Sequence, residues 1–179
     1  MNNYIISFTK KFGYFFDKKE ISNIIYLHDE DDNERLDHVL FFEKDNGDVI
    51  GLYIRGMNPL ISVNRVYDLD DFNLFSSYEG LIECKENIKL KIEYIGLFFS
   101  TQYNELLGFY LANNDASSSI FILFLQDEIY MEKDCSKYEA SRILENKFST
   151  EGFITYEKTC ETDWRQLNFL EFELKTHEG

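Results

Sequence analysis

The feature that most constrains the fold is a run of six large apolar residues, Ile120–Leu125. Polar residues stand directly before and after this run. A segment this short and this uniformly apolar is typical of a strand buried on both faces, because a buried helix would extend over ten residues or more. Burial of six such side chains contributes roughly 9–18 kcal/mol before the loss of conformational entropy is counted. The run therefore predicts the centre of a hydrophobic core.

Patterns typical of strands stand on both sides of the run. Leu106–Ala112 precedes it and Ile129–Lys133 follows it, so residues 106–133 predict a three-stranded meander. Asn46-Gly47 is the clearest hairpin signal, because both central residues of a type I′ turn need a positive φ. Further strands are predicted at Tyr4–Phe8 and Tyr14–Phe16 (a hairpin turning near Gly13), Val39–Glu43, Val49–Arg55, Leu60–Val66, Ile88–Tyr94 running on into Gly96–Phe99, and Phe153–Lys158.

One helix is predicted from its capping residues. Ser136 and Glu139 have the spacing of a capping box, in which the serine accepts from the N3 amide and the glutamate reaches back. Apolar residues then recur at helical spacing, at Ala140, Ile143, Leu144 and Phe148. The two patterns predict a helix over 136–148, with Ser149–Gly152 as its exit loop.

Two other segments are less regular. Residues 21–27 favour a strand, with a short helix that begins at Asp17 as the alternative. Residues 68–79 mix acidic and aromatic side chains, and Asp70 or Asp71 is suited to capping a short helix there.

The order of the elements indicates the fold class. Residues 162–167 predict a last helix capped by Thr162, whereas the alternation over 170–174 is also typical of a strand. Strands followed by helices indicate an α+β fold. We expect a mostly antiparallel sheet with two or three helices packed on one side, in a single layered domain over residues 1–179.

The charge of the chain limits the partners it can have. It carries 33 acidic and 18 basic residues, for a net charge of −15. That balance argues against nucleic acid, because binding to phosphates requires Lys and Arg, and against an anionic membrane surface. It favours either a highly soluble protein or one that meets a basic protein partner.

The carboxylates are concentrated between His28 and Asp48, where nine acidic and two basic residues occur. A solvated loop and a contact surface for a basic partner are both compatible with this pattern. On the second interpretation, the partner-binding residues are Asp29, Glu30, Asp31, Asp32, Glu34 and Asp37.

The acidic stretch does not match a known pattern of metal ligands. Asp29, Asp31 and Asn33 are spaced like the start of a calcium loop, but Glu34 stands where the turn glycine belongs and Leu40 where the bidentate glutamate belongs. The ten-residue spacing of the two histidines that flank the acidic stretch matches no familiar ligand pattern. We therefore predict no metal and no cofactor.

Common catalytic and targeting motifs are not recognisable in the sequence either. The nucleotide-binding, nucleophile-elbow and zinc-protease motifs do not occur in the sequence. Cys84, Cys135 and Cys160 lack zinc-site spacing, and their odd number suggests free thiols in a reducing compartment. No secretory leader or membrane-spanning segment is recognisable. The sequence predicts a cytoplasmic protein without catalytic residues that is not an enzyme.

Four elements occur in order through the C-terminal part of the chain. They are an apolar strand with an acidic turn, Phe121–Tyr130; the capped helix 136–148; the segment Gly152–Glu157; and the tryptophan-bearing Asp163-Trp164. Together, over about a third of the chain, they resemble bacterial immunity proteins of contact-dependent growth-inhibition systems. The resemblance implies a protein that binds and neutralises a cognate toxin domain, often a basic nuclease, by covering its active site. We expect such a protein to be a monomer or a weak dimer.

Two alternative functions follow from the same residues. A DNA mimic would use carboxylates in place of phosphates, to inhibit a DNA-binding enzyme of the restriction type. Basic residues interrupt the acidic field that this function requires, at Lys89, Lys91, Lys133, Lys137 and Arg142. An enzyme would depend on carboxylates that only the fold brings together.

Overall fold

The computed structural model describes residues 3–56, 58–63, 68–69, 72–73, 80–148, 152–167 and 172. These residues form two helices, α1 (Asn3–Phe16) and α2 (Lys137–Phe148). The strands are β1 (Glu20–Asp29), β2 (Val39–Lys44), β3 (Val49–Arg55), β4 (Asn58–Val63), β5 (Asp68–Leu69), β6 (Phe72–Asn73), β7 (Leu81–Lys91), β8 (Tyr94–Ser100), β9 (Leu106–Ala112), β10 (Ser119–Leu125), β11 (Glu128–Lys133), β12 (Phe153–Thr159) and β13 (Arg165–Leu167).

The chain divides into two compact units. The five-stranded unit comprises Glu20–Lys89 and Phe124–Ile129, and the six-stranded unit comprises the rest of the chain. The predicted α+β composition with mostly antiparallel strands agrees with this structure. The prediction of a single sheet with helices on one side is wrong, because the strands form two large sheets and one two-stranded sheet. A single domain over 1–179 stays a prediction.

The sheet of the five-stranded unit has the order β4-β3-β2-β1-β7. Strands β1 to β4 pair antiparallel with their neighbours in sequence. Their apolar faces form a core of buried side chains, at Ile25, Leu27, Leu36, Val39, Phe41 and Tyr53. The predicted strands over 21–27, 39–43 and 49–55 are confirmed; the prediction over 60–66 is confirmed as far as Val63, beyond which its residues are not described.

The turn between β2 and β3 differs from the predicted type I′ turn. The Gly47 amide donates to the Lys44 carbonyl at 2.9 Å, and the Lys44 amide donates to the Asp48 carbonyl at 2.8 Å. Of the two central residues, only Gly47 has a positive φ, at 83°. This geometry is a type I turn followed by a left-handed glycine, the usual three-residue hairpin loop. The hairpin was predicted correctly and its turn type was not.

The sheet of the six-stranded unit has the order β11-β10-β9-β8-β12-β13. Every residue of β8 and β9 is buried, as are the first six residues of β10. The predicted meander over 106–133 and the strand over 153–158 are confirmed. The predicted continuous strand over 88–99 is wrong, because the chain leaves one sheet after Lys91 and enters the other at Tyr94.

The predicted N-terminal hairpin is wrong, because residues 3–16 form helix α1. Phe8, Phe12 and Phe16 recur every four residues, and all three are buried. The ring of Phe12 lies 4.9 Å from that of Phe109 on β9, and the ring of Phe16 lies 5.9 Å from it. Helical spacing buries these rings on one face, which alternation along a strand would not.

Helix α2 begins as predicted. The Ser136 amide donates to Glu139 Oε2 at 2.9 Å, and the Glu139 amide donates to Ser136 Oγ at 3.2 Å, which completes the capping box. The helix predicted over 162–167 is wrong, since Arg165–Leu167 is a strand. The predictions that involve Asp70, Asp71, residues 74–79, 149–151, Leu170 and Leu174 lie outside the described residues.

Candidate functional site

The acidic stretch after β1 is an ordered turn. The Asp29 amide donates to the Glu34 carbonyl at 2.9 Å, and the Asn33 amide donates to the Asp29 carbonyl at 3.0 Å. Asn33 adopts a left-handed φ of 59°, which asparagine tolerates better than most residues. The Leu36 amide then donates to the Leu27 carbonyl at 2.8 Å, so the turn continues the ladder of β1. A buried leucine side chain at position 36 anchors the returning segment in the core.

Three of the six predicted partner-binding carboxylates hold this turn together. Asp29 Oδ1 accepts from the Asp31 amide at 2.8 Å, and Asp32 Oδ1 accepts from the Glu34 amide at 2.9 Å. Such local bonds are the usual role of aspartate in turns. Asp37 Oδ1 accepts from two nitrogens of Arg35, at 2.9 and 3.0 Å.

The other three predicted residues, Glu30, Asp31 and Glu34, are exposed. Within the described part of the chain, the carboxylates of Asp31 and Glu34 have no hydrogen-bond or ion-pair partner. Glu30 lies across Gly80, where a Cβ atom would approach Glu30 Oε2 to 2.3 Å. The Glu30 amide also donates to the Gly80 carbonyl at 3.0 Å. The loop thus directs carboxylates outward from a hydrogen-bonded base.

A second acidic segment, at the turn between β10 and β11, joins this surface. The Gly56 amide donates to Asp127 Oδ1 at 2.9 Å, and the Asp127 amide returns a bond to the Gly56 carbonyl at 3.1 Å. Next to it, the Ile129 amide donates to the Asp37 carbonyl at 2.7 Å. These bonds place the acidic side chains at positions 127 and 128 beside Asp37, within the same compact unit.

We call the combined surface the acidic end. It contains one basic residue in the two segments, Arg35, and eight carboxylates: Asp29, Glu30, Asp31, Asp32, Glu34, Asp37, Asp127 and Glu128. Sequence reasoning selected the first six and missed the last two. No local pattern could have joined them, because the pairing of residue 127 with residue 56 spans 71 positions.

The rest of the predicted acidic stretch lies elsewhere. The Asp45 amide donates to the Glu20 carbonyl at 3.2 Å, which places the turn around Asp48 at the opposite end of β1. The ten residues of β1 span about 30 Å at roughly 3.3 Å each. Since the Debye length is roughly 8 Å in physiological salt, the two ends present separate acidic surfaces to a partner.

A groove of about 430 Å³ lies beside the start of α2. Cys135 and Tyr138 line it together with charged side chains. Burial, with smaller effects of Glu139 and Glu132, raises the pKa of the Cys135 thiol to about 12. A thiol that stays protonated at neutral pH is a poor nucleophile, and the neighbouring Ser136 hydroxyl is engaged in the helix cap. The groove therefore lacks an activated nucleophile at either position.

A buried ionic cluster connects β12, β13 and α2. The side chain of Glu157 is fully buried and pairs with Arg165. The ammonium of Lys137 lies 3.5 Å from the ring centroid of Tyr94, and burial lowers the pKa of Lys137 to about 8. Burial, followed by the charge of Glu157, raises the pKa of Tyr94 well above its ordinary value. This cluster explains how α2 is fixed to the sheet, and its sequence signal was a glutamate that directly follows the mainly apolar residues 153–156 of β12.

Among the described residues, no group of three or more His, Cys, Asp or Glu side chains is arranged so that it could hold a metal ion. The three cysteines are free thiols, as expected. No helix in the described ranges combines the length and apolar character that crossing a membrane requires. Comparison of the chain with protein-family models, curated proteins and solved structures gave no match.

Proposed function

We propose that this protein is a cytoplasmic immunity protein that binds a cognate, basic toxin domain through its acidic end. The observation that carries the proposal is the acidic end itself. Eight carboxylates from two distant segments meet there, against the single basic side chain of Arg35 in those segments. Three of these carboxylates hold the loop together, and within the described part of the chain those of Asp31 and Glu34 are exposed and have no partner.

The hydrogen-bonded base makes the acidic end suited to protein binding. Ordering a flexible loop on association costs free energy, and a loop already held by backbone bonds avoids much of that cost. The backbone that carries Asp31 and Glu34 is therefore already held in place before a partner binds. Arginine and lysine side chains on a toxin would pair with them through charge-assisted bonds.

The net charge of −15 supports the same partner class. Complementary charge attracts a cationic protein over distances of about a Debye length and raises association rates many-fold. A nuclease must itself be basic around its active site to bind phosphates. An acidic protein that docks there would occupy the substrate-binding cations and exclude nucleic acid.

The distribution of carboxylates favours a protein partner over DNA mimicry. Duplex DNA carries a charge about every 1.7 Å along its axis, so a mimic needs acids along an extended surface. In this structure the acids gather at one end of β1, and Asp45 and Asp48 lie at the other end. The exposed ammonium of Lys85 lies on β7, which flanks β1, so a positive charge also interrupts the acids along this sheet.

The test uses the toxin domain encoded beside the gene for this protein. We expect an equimolar amount of the wild-type protein to abolish the toxin's nuclease activity. The variant Asp31→Asn/Glu34→Gln should weaken inhibition about tenfold, equivalent to roughly 1.4 kcal/mol. The matched control Asp45→Asn/Asp48→Asn, which removes two charges at the opposite end of β1, should inhibit like the wild type. Absence of any complex would refute the function, and equal weakening by both variants would refute the interface.

A further inference from the structure

Strand β7 differs from the other long strands because the side chains near its start are exposed on both faces. From Ile82 to Lys85 every residue is exposed, and from Glu86 to Lys89 residues alternate between half-buried and exposed. Ile82 alone retains 42% of its accessible surface. Residues 82–85, which are covered on neither face, gain little from burial within one copy of the chain.

β7 is also the last strand of its sheet. β1 lies on one side, since the Glu30 amide donates to the Gly80 carbonyl at 3.0 Å and the Tyr26 hydroxyl donates to Glu86 Oε2 at 3.0 Å. These contacts occur in opposite order along the two chains, as in antiparallel pairing. On the other side of β7, the sheet contains no further strand among the described residues. A sheet edge of this kind offers backbone N–H and C=O groups to another strand.

We propose that β7 is a homodimer interface, in which two copies pair antiparallel about a two-fold axis at Cys84 and form one continuous ten-stranded sheet. Two-fold dimers are the commonest homo-oligomers, and their interface uses the same surface of both copies, as the pairing of two identical edges does. This proposal concerns a surface distinct from the acidic end and does not depend on the proposed toxin partner.

The charge of β7 favours a second copy as the occupant. In a chain of net charge −15, Leu81–Lys91 contains three lysines and two glutamates. Leu81–Lys91 thus carries a net charge of +1, so two copies that approach through this strand repel each other less than they would at the acidic end. A strongly basic partner would find less attraction here than at the acidic end.

The sequence of β7 also selects the register. A two-fold axis at Glu83, Lys85 or Glu86 would place a charge opposite an identical charge. An axis at Asn87 would place Lys85 opposite Lys89, which has a left-handed φ of 51° that interrupts a regular ladder. An axis at Cys84 instead places Glu83 of each copy opposite Lys85 of the other, twice per dimer. Opposite charges in directly facing positions stabilise a strand pair, and like charges destabilise it.

This register brings the two Cys84 residues face to face. Directly opposed residues have Cα atoms roughly 4.5–5.5 Å apart, which lies within the range that a disulfide bridges. Cys84 is exposed, so an oxidant can reach it. A disulfide between the two Cys84 residues would therefore show that the strands pair in this register. Added diamide accepts two electrons and two protons as the two thiols form a disulfide.

The first measurement is analytical ultracentrifugation of the full chain from about 10 to about 500 µM, where a concentration-dependent dimer is expected. Diamide should trap this dimer through Cys84, so that Cys84→Ser abolishes the covalent product and Cys160→Ser retains it. A monomer at every concentration would overturn the proposal. A covalent product that persists in Cys84→Ser would overturn the register.

The second measurement exchanges the facing charges. Glu83→Lys and Lys85→Glu each create two like-charge pairs and should weaken dimerisation roughly tenfold. The double variant Glu83→Lys/Lys85→Glu restores opposite charges and should recover the wild-type association. Urea unfolding of each variant controls for folding, since Lys85 also pairs with Glu43 at 2.8 Å. Failure of the double variant to recover association would contradict the pairing of residues 83 and 85.

Discussion

Glu157 on β12 lies directly opposite Arg165 on β13, and its fully buried carboxylate forms an ion pair with the Arg165 guanidinium. Breaking a buried pair by removing one partner costs more than the pair itself contributes, because a charge stays buried without compensation. The Arg165 side chain retains 45% of its accessible surface, so water reduces this cost. We expect Arg165→Met to lower the free energy of unfolding by about 2–3 kcal/mol.

The matched control for this prediction is an exposed ion pair. Arg142 and Glu145 lie 3.0 Å apart on the surface of α2, and Arg142→Met should cost less than about 1 kcal/mol. The double variant Glu157→Gln/Arg165→Met removes both charges, so it should recover most of the free energy of unfolding that Arg165→Met loses. Urea unfolding followed by circular dichroism measures all three. Equal effects at positions 142 and 165 would contradict the buried pair.

Lys137 makes stability depend on pH. Burial lowers its pKa from 10.5 to about 8, so the unfolded chain binds more protons than the folded one between these values. Stability therefore rises with pH across this window. Between pH 7.5 and 9.5, the free energy of unfolding of the wild type should rise by about 2 kcal/mol relative to that of Lys137→Met.

Urea unfolding at the two pH values tests the Lys137 prediction. The raised pKa of the Cys135 thiol lowers stability as pH rises within this range, and the raised pKa values of Tyr94 and Tyr110 do so at higher pH. Lys137→Met retains all three groups, so the difference between the two proteins isolates Lys137. Parallel pH dependence of the wild type and Lys137→Met would show that the ammonium is solvated in the folded state.

The base of the acidic loop depends on Gly80. Its φ of +90° strains any other residue, and a Cβ atom would lie 2.3 Å from Glu30 Oε2. Gly47 has a similar φ of +83° but nothing within 4 Å, so Gly47→Ala measures the backbone strain alone. The exposed Glu30 carboxylate can move aside, whereas its Cβ atom stays close at 3.2 Å, so we expect Gly80→Ala to lower the free energy of unfolding by up to about 1 kcal/mol more than Gly47→Ala.

A double-mutant cycle separates the steric part of the Gly80 effect from backbone strain. In a Glu30→Ala background, the cost of Gly80→Ala should fall towards that of Gly47→Ala. An unchanged cost would mean that the Glu30 side chain does not rest on Gly80.

Helix α1 is held by its buried phenylalanines. Phe12→Ala removes a fully buried ring that packs against Phe109, so it should lower the free energy of unfolding by about 3–5 kcal/mol. Tyr14, two residues further on, keeps 74% of its surface, and Tyr14→Ala should change stability by less than about 0.5 kcal/mol. Comparable losses at positions 12 and 14 would contradict the helical face described here.

Local patterns predicted the central strands because their side chains are nearly all apolar. The run at 120–125 lies between two other strands of its sheet, as its composition requires. The capping box was equally local, since Ser136 and Glu139 are three residues apart. Helix α1 was misread because its aromatic residues also suit strands, and the spacing of Phe8, Phe12 and Phe16 was the better signal.

Features that depend on contacts between distant segments could not be read from the sequence. The acidic end needed Asp127 and Glu128, which reach it only through the bonds to Gly56 and from Ile129 to Asp37. The split of the strands between two sheets depends on two residues between Lys91 and Tyr94 that no turn motif marks. Residues 81–87 of β7 were not predicted as a strand, and their side chains are exposed on both faces over Ile82–Lys85.

We propose above that the acidic end attracts and binds a basic toxin. The most direct measurement is the association rate constant with the adjacently encoded toxin domain, by stopped-flow fluorescence at about 50 and about 300 mM salt. We predict a steep fall in rate with salt for the wild type and Asp45→Asn/Asp48→Asn, and a slower, shallower dependence for Asp31→Asn/Glu34→Gln. A salt-independent rate, or identical rates for the two variants, would contradict the claim.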